Sequence, residues 1–259
     1  MSDRSTDHTA LTARLAALHV ATTSSATIPG SDPQLEDARL IREYAGSDVI
    51  ELPAPALSFD LAEALTMRRT MRQLSGAPLS PQSLSTLLAY SAGTPHGTAL
   101  PSIAGGPPGR RTYPSAGALY AVEMLVCTIH VEGLDAGCYR YQTLAHRLVA
   151  LRHLQGRPAL DRMLDGNQVG GAAVALLLWV DFTRPSLGKY GELSYRMALL
   201  EAGHLAQNLL LVATAIGIGT APLCGFDDAM LSREAGLQFP EQSIVYAVAA
   251  GMAIADADV

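Results

Sequence analysis

Residues 195–218 read YRMALLEAGHLAQNLLLVATAIGI, and their reading decides the fold. Leu, Ala and Val recur on nearly every side of a 3.6-residue repeat, so a helix here must be buried around most of its circumference. Gly217 and Gly219 close it. One polar stripe interrupts the rod: Glu201, His204, Gln207 and Asn208, spaced three and four apart. Buried polar groups need partners, so the stripe predicts either satisfied core hydrogen bonds or a dimer interface. The apolar, β-branched runs at 122–131, 172–181 and 243–251 read as buried strands. Residues 138–141 and 147–151 read as a shorter hairpin. Strands and helices mix without strict alternation, which predicts an α+β fold around one sheet.

Working outward, residues 1–57 read as an N-terminal extension and 58–259 as the compact domain. In the extension Leu11, Leu15 and Leu18 recur at helical spacing. Residues 33–44 suit an edge helix, and 52–57 is a Pro-broken connector. Residues 58–66 read as a helix capped by Ser58 or Asp60. Ser80-Pro81-Gln82-Ser83 opens another, with Leu84, Leu87 and Leu88 on one face. The Gly/Pro-rich stretch 93–109 is long enough for a lid or binding loop.

Composition excludes several classes. Of 259 residues 49% are hydrophobic and 16% charged, a low charge density that predicts surface covered in an oligomer. The net charge of −6, with no basic run, argues against nucleic acid. Cys127, Cys138 and Cys224 form no CxxC pair, so neither a disulfide framework nor a structural metal site is expected. The N-terminus lacks a signal-peptide layout and the longest apolar run is too short to span a bilayer. These features predict a cytoplasmic protein with no membrane association.

The chemistry concentrates in a few places. Lys189 is the only lysine of 18 Lys and Arg residues. Arginine replaces lysine freely as a solvated cation but not where an amine must lose its proton. Met67-Arg68-Arg69-Thr70-Met71-Arg72 packs three guanidinium groups and a hydroxyl into five residues, a set able to bind a phosphate or to form a solvated basic turn. Pro114-Ser115-Ala116-Gly117-Ala118-Leu119 offers small residues that a flat ligand could approach, or a tight structural turn. Residues 221–228 read as a loop whose exposed amides could bind a heteroaromatic edge, with Cys224 there either a reactive thiol or a small apolar filler. There is no P-loop, Rossmann turn, GxSxG or HExxH.

Taken in order, these segments resemble the nitroreductase superfamily, and within it the SagB-type FMN-dependent thiazoline/oxazoline dehydrogenases. Arg68-Arg69-Thr70-Met71-Arg72 is similar to that group's Arg-Arg-Ser-x-Arg element, and Pro114 to Tyr120 to its PSAGALYP element. Lys189-Tyr190, Leu200-Glu201-Ala202-Gly203-His204 and Gly225-Phe226-Asp227-Asp228 follow its pattern. Thr70 and Ala121 depart from it. The resemblance implies a central mixed or antiparallel sheet flanked by helices, and a homodimer with FMN at the subunit interface. It implies cofactor contacts from Arg68, Arg69, Thr70, Arg72, Ser115, Gly117, Leu223, Cys224 and Gly225.

The implied reaction oxidises an azoline in a ribosomal or carrier-tethered peptide to the azole, alongside a cyclodehydratase or synthetase partner. Lys189 and Tyr190 are the implied catalytic pair, because a carbon acid needs a base. Free lysine titrates near about 10.4 and burial lowers that value. Two other readings compete: an NAD(P)H-dependent nitro- or quinone reductase, which needs no such base, and a non-catalytic scaffold in a biosynthetic complex.

Overall fold

A computed structural model describes residues 4–21, 48–94, 110–153, 157–188 and 190–254. The expected helix at 33–44, most of the 93–109 loop and Lys189 lie outside the described residues. In chain order the elements are α1 (Arg4–Ala21), β1 (Val49–Glu51), α2 (Leu61–Met67), α3 (Pro81–Ala92), β2 (Val122–Thr128), β3 (Gly137–Gln142), β4 (Arg147–His153), α4 (Pro158–Gly166), β5 (Val174–Asp181), α5 (Leu193–Ala215), β6 (Ile218–Leu223), α6 (Asp228–Glu234) and β7 (Gln242–Met252).

The strands form one seven-stranded sheet, ordered β1-β4-β3-β2-β5-β7-β6, with every ladder antiparallel. Central β5 explains its own unbroken apolar run. Val174, Leu176, Leu178 and Val180 point into one core, and Ala175, Leu177 and Trp179 into the other. A strand covered on both faces loses the polar alternation of a half-exposed one. α3 and α5 cover the first face, and α4 and α6 the second.

Local chemistry sets the helix starts. Asp60 caps α2, accepting from the Glu63 amide at 3.0 Å, and Ser80 caps α3, accepting from Ser83 at 3.1 Å, with Pro81 at the first turn. α3 also carries a polar stripe that reads the connector. Gln82 donates to the Ala54 carbonyl at 2.7 Å, Ser85 donates to Pro53, and Thr86 exchanges hydrogen bonds with Ala56. The Pro-broken segment is therefore fastened to the domain although it belongs to no strand.

Two expectations need correction. The long helix ends at Ala215, and Ile218 opens β6. Leu223, expected in a loop, is the last residue of that strand, pairs with Ala247 and is buried. Pro222 marks a turn in the sequence but not in the fold. A proline is tolerated on an edge strand, and β6 is the edge of this sheet. Among the described residues no helix is long and apolar enough to cross a membrane.

Candidate functional site

The expected site residues fall into two groups. The first begins where α2 ends. Beyond Arg68 the chain runs extended along β6: Thr70 bridges Thr220, and the Met71 amide donates to the Thr220 carbonyl at 2.8 Å. On its other side the Gly170 amide donates to Arg72 at 2.8 Å, and Leu74 donates back to Gly170 at 2.9 Å. Gly219 permits this close approach, since a Cβ there would sit 2.6 Å from Leu74. With its backbone held on both sides, the segment leaves its polar side chains outside. Arg69, Thr70 and Arg72 are exposed and Arg68 is half-buried.

The three arginines are not equivalent. Arg69 folds back on α2, donating to the carbonyls of Thr66 at 2.6 Å and Arg68 at 3.0 Å. It thereby satisfies carbonyls that a helix C-terminus leaves open. Arg68 and Arg72 have no side-chain hydrogen bond or ion pair among the described residues, so their guanidinium groups are available to an anion. Exposed Cys224 and Gly225 follow β6, and Asn167 holds the Gly225 carbonyl at 2.6 Å. Partial burial pushes the Cys224 thiol up, which makes it a poor thiolate nucleophile.

The second group is built around Glu201. This carboxylate is only 3% exposed. It accepts from Ser115 Oγ at 2.5 Å and from the Val122 amide at 2.9 Å. Burial raises its pKa, while the bonds from Ser115 and the backbone oppose the rise. Ser115 Oγ in turn accepts from the Tyr120 amide at 2.8 Å. Its hydroxyl is thus committed within the protein, and the donors the turn leaves open are backbone. Ala116 and Gly117, as the first amides of that turn, have no carbonyl partner within it.

The turn is strained. Gly117, Ala118 and Tyr120 all have positive φ, at 62°, 55° and 47°. The left-handed conformation costs a non-glycine residue roughly 1–2 kcal/mol. Glu201, Ser115 and the Arg111 amide, which donates to Tyr120 Oη at 2.9 Å, hold it there. Tyr190 lies against the product of that strain. Its buried hydroxyl fills the space where a Cβ on Gly117 would be. Lys189, its chain neighbour, lies outside the described residues.

The sheet keeps the groups apart. β2 pairs with β5 from Val122↔Val180 to Thr128↔Val174, and Val174 leads through Ala250 to Thr220. Six residues of strand and three strand spacings separate Val122 from Thr220, roughly 20 Å by 14 Å, or about 25 Å. One chain therefore presents the Arg68–Arg72 group and the Ser115–Tyr190 group at opposite ends of its sheet. Arg111 and Arg184, which brace the second group, carried no distinguishing sequence signal, whereas Tyr120 closes the Pro114–Tyr120 element. Glu201 carried one too, as the buried member of the polar stripe.

The nitroreductase family profile matches residues 65–252, most of the chain. The chain belongs to the nitroreductase family. Two curated relatives are MJ1384 of Methanocaldococcus jannaschii, assigned to the nitroreductases, and the microcin B17-processing protein McbC of Escherichia coli. The first is 29% identical over 187 residues, 70% of this chain and 87% of that protein. The second is 36% identical over 137 residues, 49% of each, so the match spans about half of McbC.

Two solved structures share the fold. A nitroreductase-like protein of Anabaena variabilis superposes with TM-score 0.71 at 23% identity, over 92% of this chain and 46% of that one. A chain of the E. coli microcin synthetase McbBCD complex with truncated pro-MccB17 bound superposes with TM-score 0.58 at 21% identity, over 94% and 93%. Family membership makes this chain an oxidoreductase, in a family whose members typically bind flavin.

Proposed function

We propose that this chain oxidises a peptide-borne thiazoline or oxazoline to the aromatic azole, using FMN. The observation that carries the reading is the seating of Tyr190 on Gly117, beside the chain's sole lysine. A nitro- or quinone reductase has no use for a carbon-acid base at that position. The similarity to McbC, a microcin B17-processing protein, favours a peptide substrate and a synthetase or cyclodehydratase partner.

The residues present fit FMN. Arg68 and Arg72, with the Thr70 hydroxyl, form a donor set for a phosphate. The backbone of the Ser115–Gly117 turn and of Cys224 and Gly225 would meet the ring. Leu223 adds little, since its backbone is engaged by β7. The two groups lie too far apart for one chain to close on one cofactor. A homodimer, in which each copy completes the other's site, resolves this. Exposed Leu61, Leu65 and Met67 of α2 and Leu199 and Leu200 of neighbouring α5 offer it an apolar face.

When bound, FMN would supply the two-electron acceptor for the hydride leaving the azoline ring, with dioxygen as the terminal oxidant. Lys189 takes the proton from the ring carbon beside the carbonyl, and Tyr190, its neighbour in sequence, with its hydroxyl seated against Gly117, is the second member of the pair. The ring loses one proton and one hydride and becomes aromatic.

An anaerobic titration followed by visible absorbance tests this. Flavin bleached by an azoline peptide but not by NADH or NADPH is the expected result. Rapid bleaching by either nucleotide, with none by azolines, would replace the reading with a reductase.

A further inference from the structure

The chain around Tyr190 is one compact piece. Pro185–Gly188 forms a single helical turn. The Leu187 amide donates to the Arg184 carbonyl and the Tyr190 amide to the Leu187 carbonyl, each at 3.0 Å. Leu187, only 2% exposed, pins the middle of the piece in the core. Its two ends touch the same object. At one end Tyr190 Oη fills the space beside Gly117. At the other, Arg184 Nη1 donates to the carbonyls of Tyr120 at 3.3 Å and Ala121 at 3.4 Å. Both contacts fall within residues 115–122, whose own ends are held by the two oxygens of Glu201.

We infer that Arg184 is a positioning residue for the Lys189–Tyr190 pair, docking the piece of chain that carries it onto the strained turn; the inference rests on the azoline-oxidase reading. A segment fixed at Tyr190 alone could pivot about that contact, and a second contact at Arg184 removes the freedom. The chemistry makes such freedom costly, since a misplacement of about 1 Å can slow a reaction about 100-fold. The guanidinium is also no surface cation. Its side chain is 10% exposed, and Glu123 Oε1 lies 3.7 Å from Nη1. Tyr120 and Ala121 are themselves buried, so their carbonyls need donors. A planar fork of donors serves two adjacent carbonyls and a carboxylate together. Glu123 is bonded to Arg140 as well, so removing Arg184 does not strand a buried charge.

The test uses the full-length flavoprotein and its Arg184→Met variant, each with and without Lys189→Arg. Docking is read by hydrogen–deuterium exchange of the amides of residues 187–191, with those of β5 as the control. Chemistry is read by the limiting rate at which a synthetic azoline peptide reduces the flavin without oxygen. Arg184→Met is expected to speed exchange in 187–191 and cut the limiting rate, each at least tenfold. Exchange in β5 should stay within twofold and FMN affinity within threefold, because Glu201 still holds the turn. Where Lys189→Arg has already removed the base, Arg184→Met should cost less than twofold in rate.

Unchanged exchange in 187–191 would overturn the docking, whatever the rate. Faster exchange at an unchanged rate, or an equal loss of rate in both backgrounds, would overturn the positioning role. Faster exchange in a protein whose wild-type flavin ignores azolines would uphold the docking and overturn the azoline reaction instead. Arg184→Lys keeps the charge beside Glu123 but lacks the fork. It should give the same pattern at smaller amplitude, and it decides the matter if Arg184→Met does not fold.

Discussion

The hydroxyl of Tyr190 occupies the space that a Cβ on Gly117 would need, so two segments more than seventy residues apart meet at a position open only to glycine. Gly117→Ala adds a methyl group that collides with Tyr190 and places alanine at φ 62°, itself a cost of roughly 1–2 kcal/mol. Lower thermal stability and at least tenfold slower azoline turnover are expected. Tyr190→Phe removes the colliding oxygen, so the double variant should recover part of the lost stability. Thermal denaturation of the four proteins checks this. Strictly additive losses would mean that the contact is not coupled.

Glu201 gives a prediction with a sign. Burial raises its folded pKa above the ordinary carboxylate value of about 4.3. A carboxyl raised on folding binds its proton more tightly in the native state. Its contribution is most favourable below the unfolded value and declines as pH rises through the folded one. Glu201→Gln should abolish that decline, so the wild type loses stability relative to the variant as pH rises from about 4. Glu201→Ala leaves the half-buried Ser115 hydroxyl and the buried Val122 amide without their acceptor, at about 1–3 kcal/mol for the buried amide. Denaturant melts across pH decide both points. Parallel curves for wild type and Glu201→Gln would contradict the shift.

How far the sequence reveals this site depends on range. The α5 rod, the caps at Asp60 and Ser80, and the doubly buried β5 are local patterns, visible in a single window. Strand β6 is not, because Gly217, Gly219 and Pro222 all read as punctuation, and only pairing with β7 makes 218–223 a strand. The site is harder still. Ser115 and Glu201 are 86 residues apart and joined by one hydrogen bond. The stripe at Glu201, His204, Gln207 and Asn208 announced that partners were needed but not which. The structure divides it: Glu201 holds the turn, Asn208 donates to the Ser91 and Thr112 carbonyls, and His204 and Gln207 face outward. Motif resemblance implied that the expected cofactor contacts meet at a subunit interface, and the ladder register sets the Arg68–Arg72 segment beside Thr220 roughly 25 Å from the Val122 end of the sheet.

The unequal arginines predict unequal losses. Arg68→Ala and Arg72→Ala remove guanidinium groups available to an anion, and each should weaken FMN binding at least tenfold with little change in melting of the apoprotein. Arg69→Ala removes the group that closes the end of α2. It should lower thermal stability while FMN affinity changes less than threefold. Flavin titration of the three apoproteins beside their melting curves separates the roles. Three equal losses of affinity would contradict the division.

A buried chain of hydrogen bonds makes the N-terminal connector sensitive to acid. His146 Nε2 lies 2.8 Å from Ser85 Oγ, its Nδ1 lies 2.8 Å from Tyr141 Oη, and Ser85 donates onward to the Pro53 carbonyl. Burial lowers the pKa of His146 against the opposing pull of the Pro53 carbonyl and Glu51. A histidine depressed on folding contributes stability that is complete above its unfolded value near 6.5 and is lost as pH falls through the folded one. Proteolysis within 52–57 should therefore accelerate between pH 7 and pH 5, and less so in His146→Gln. Equal acceleration in both proteins would place the sensitivity elsewhere.

Lys189 carries the sharpest chemical prediction. Lys189→Arg keeps a cation and nearly the same length but cannot release a proton at any working pH. The variant should retain bound FMN and wild-type melting, and lose about 10²–10⁴-fold in azoline turnover, the range general base catalysis contributes. Tyr190→Phe should lose less, because it removes a hydroxyl and leaves the amine. In the wild type, kcat should rise with pH as the amine deprotonates, and that limb should vanish in Lys189→Arg. Stopped-flow reduction of the bound flavin by an azoline peptide, measured from pH 6 to pH 10, isolates the chemical step from oxygen-dependent reoxidation. Reduction by Lys189→Arg at near wild-type rates would remove the lysine from the chemistry and leave Tyr190 as the base.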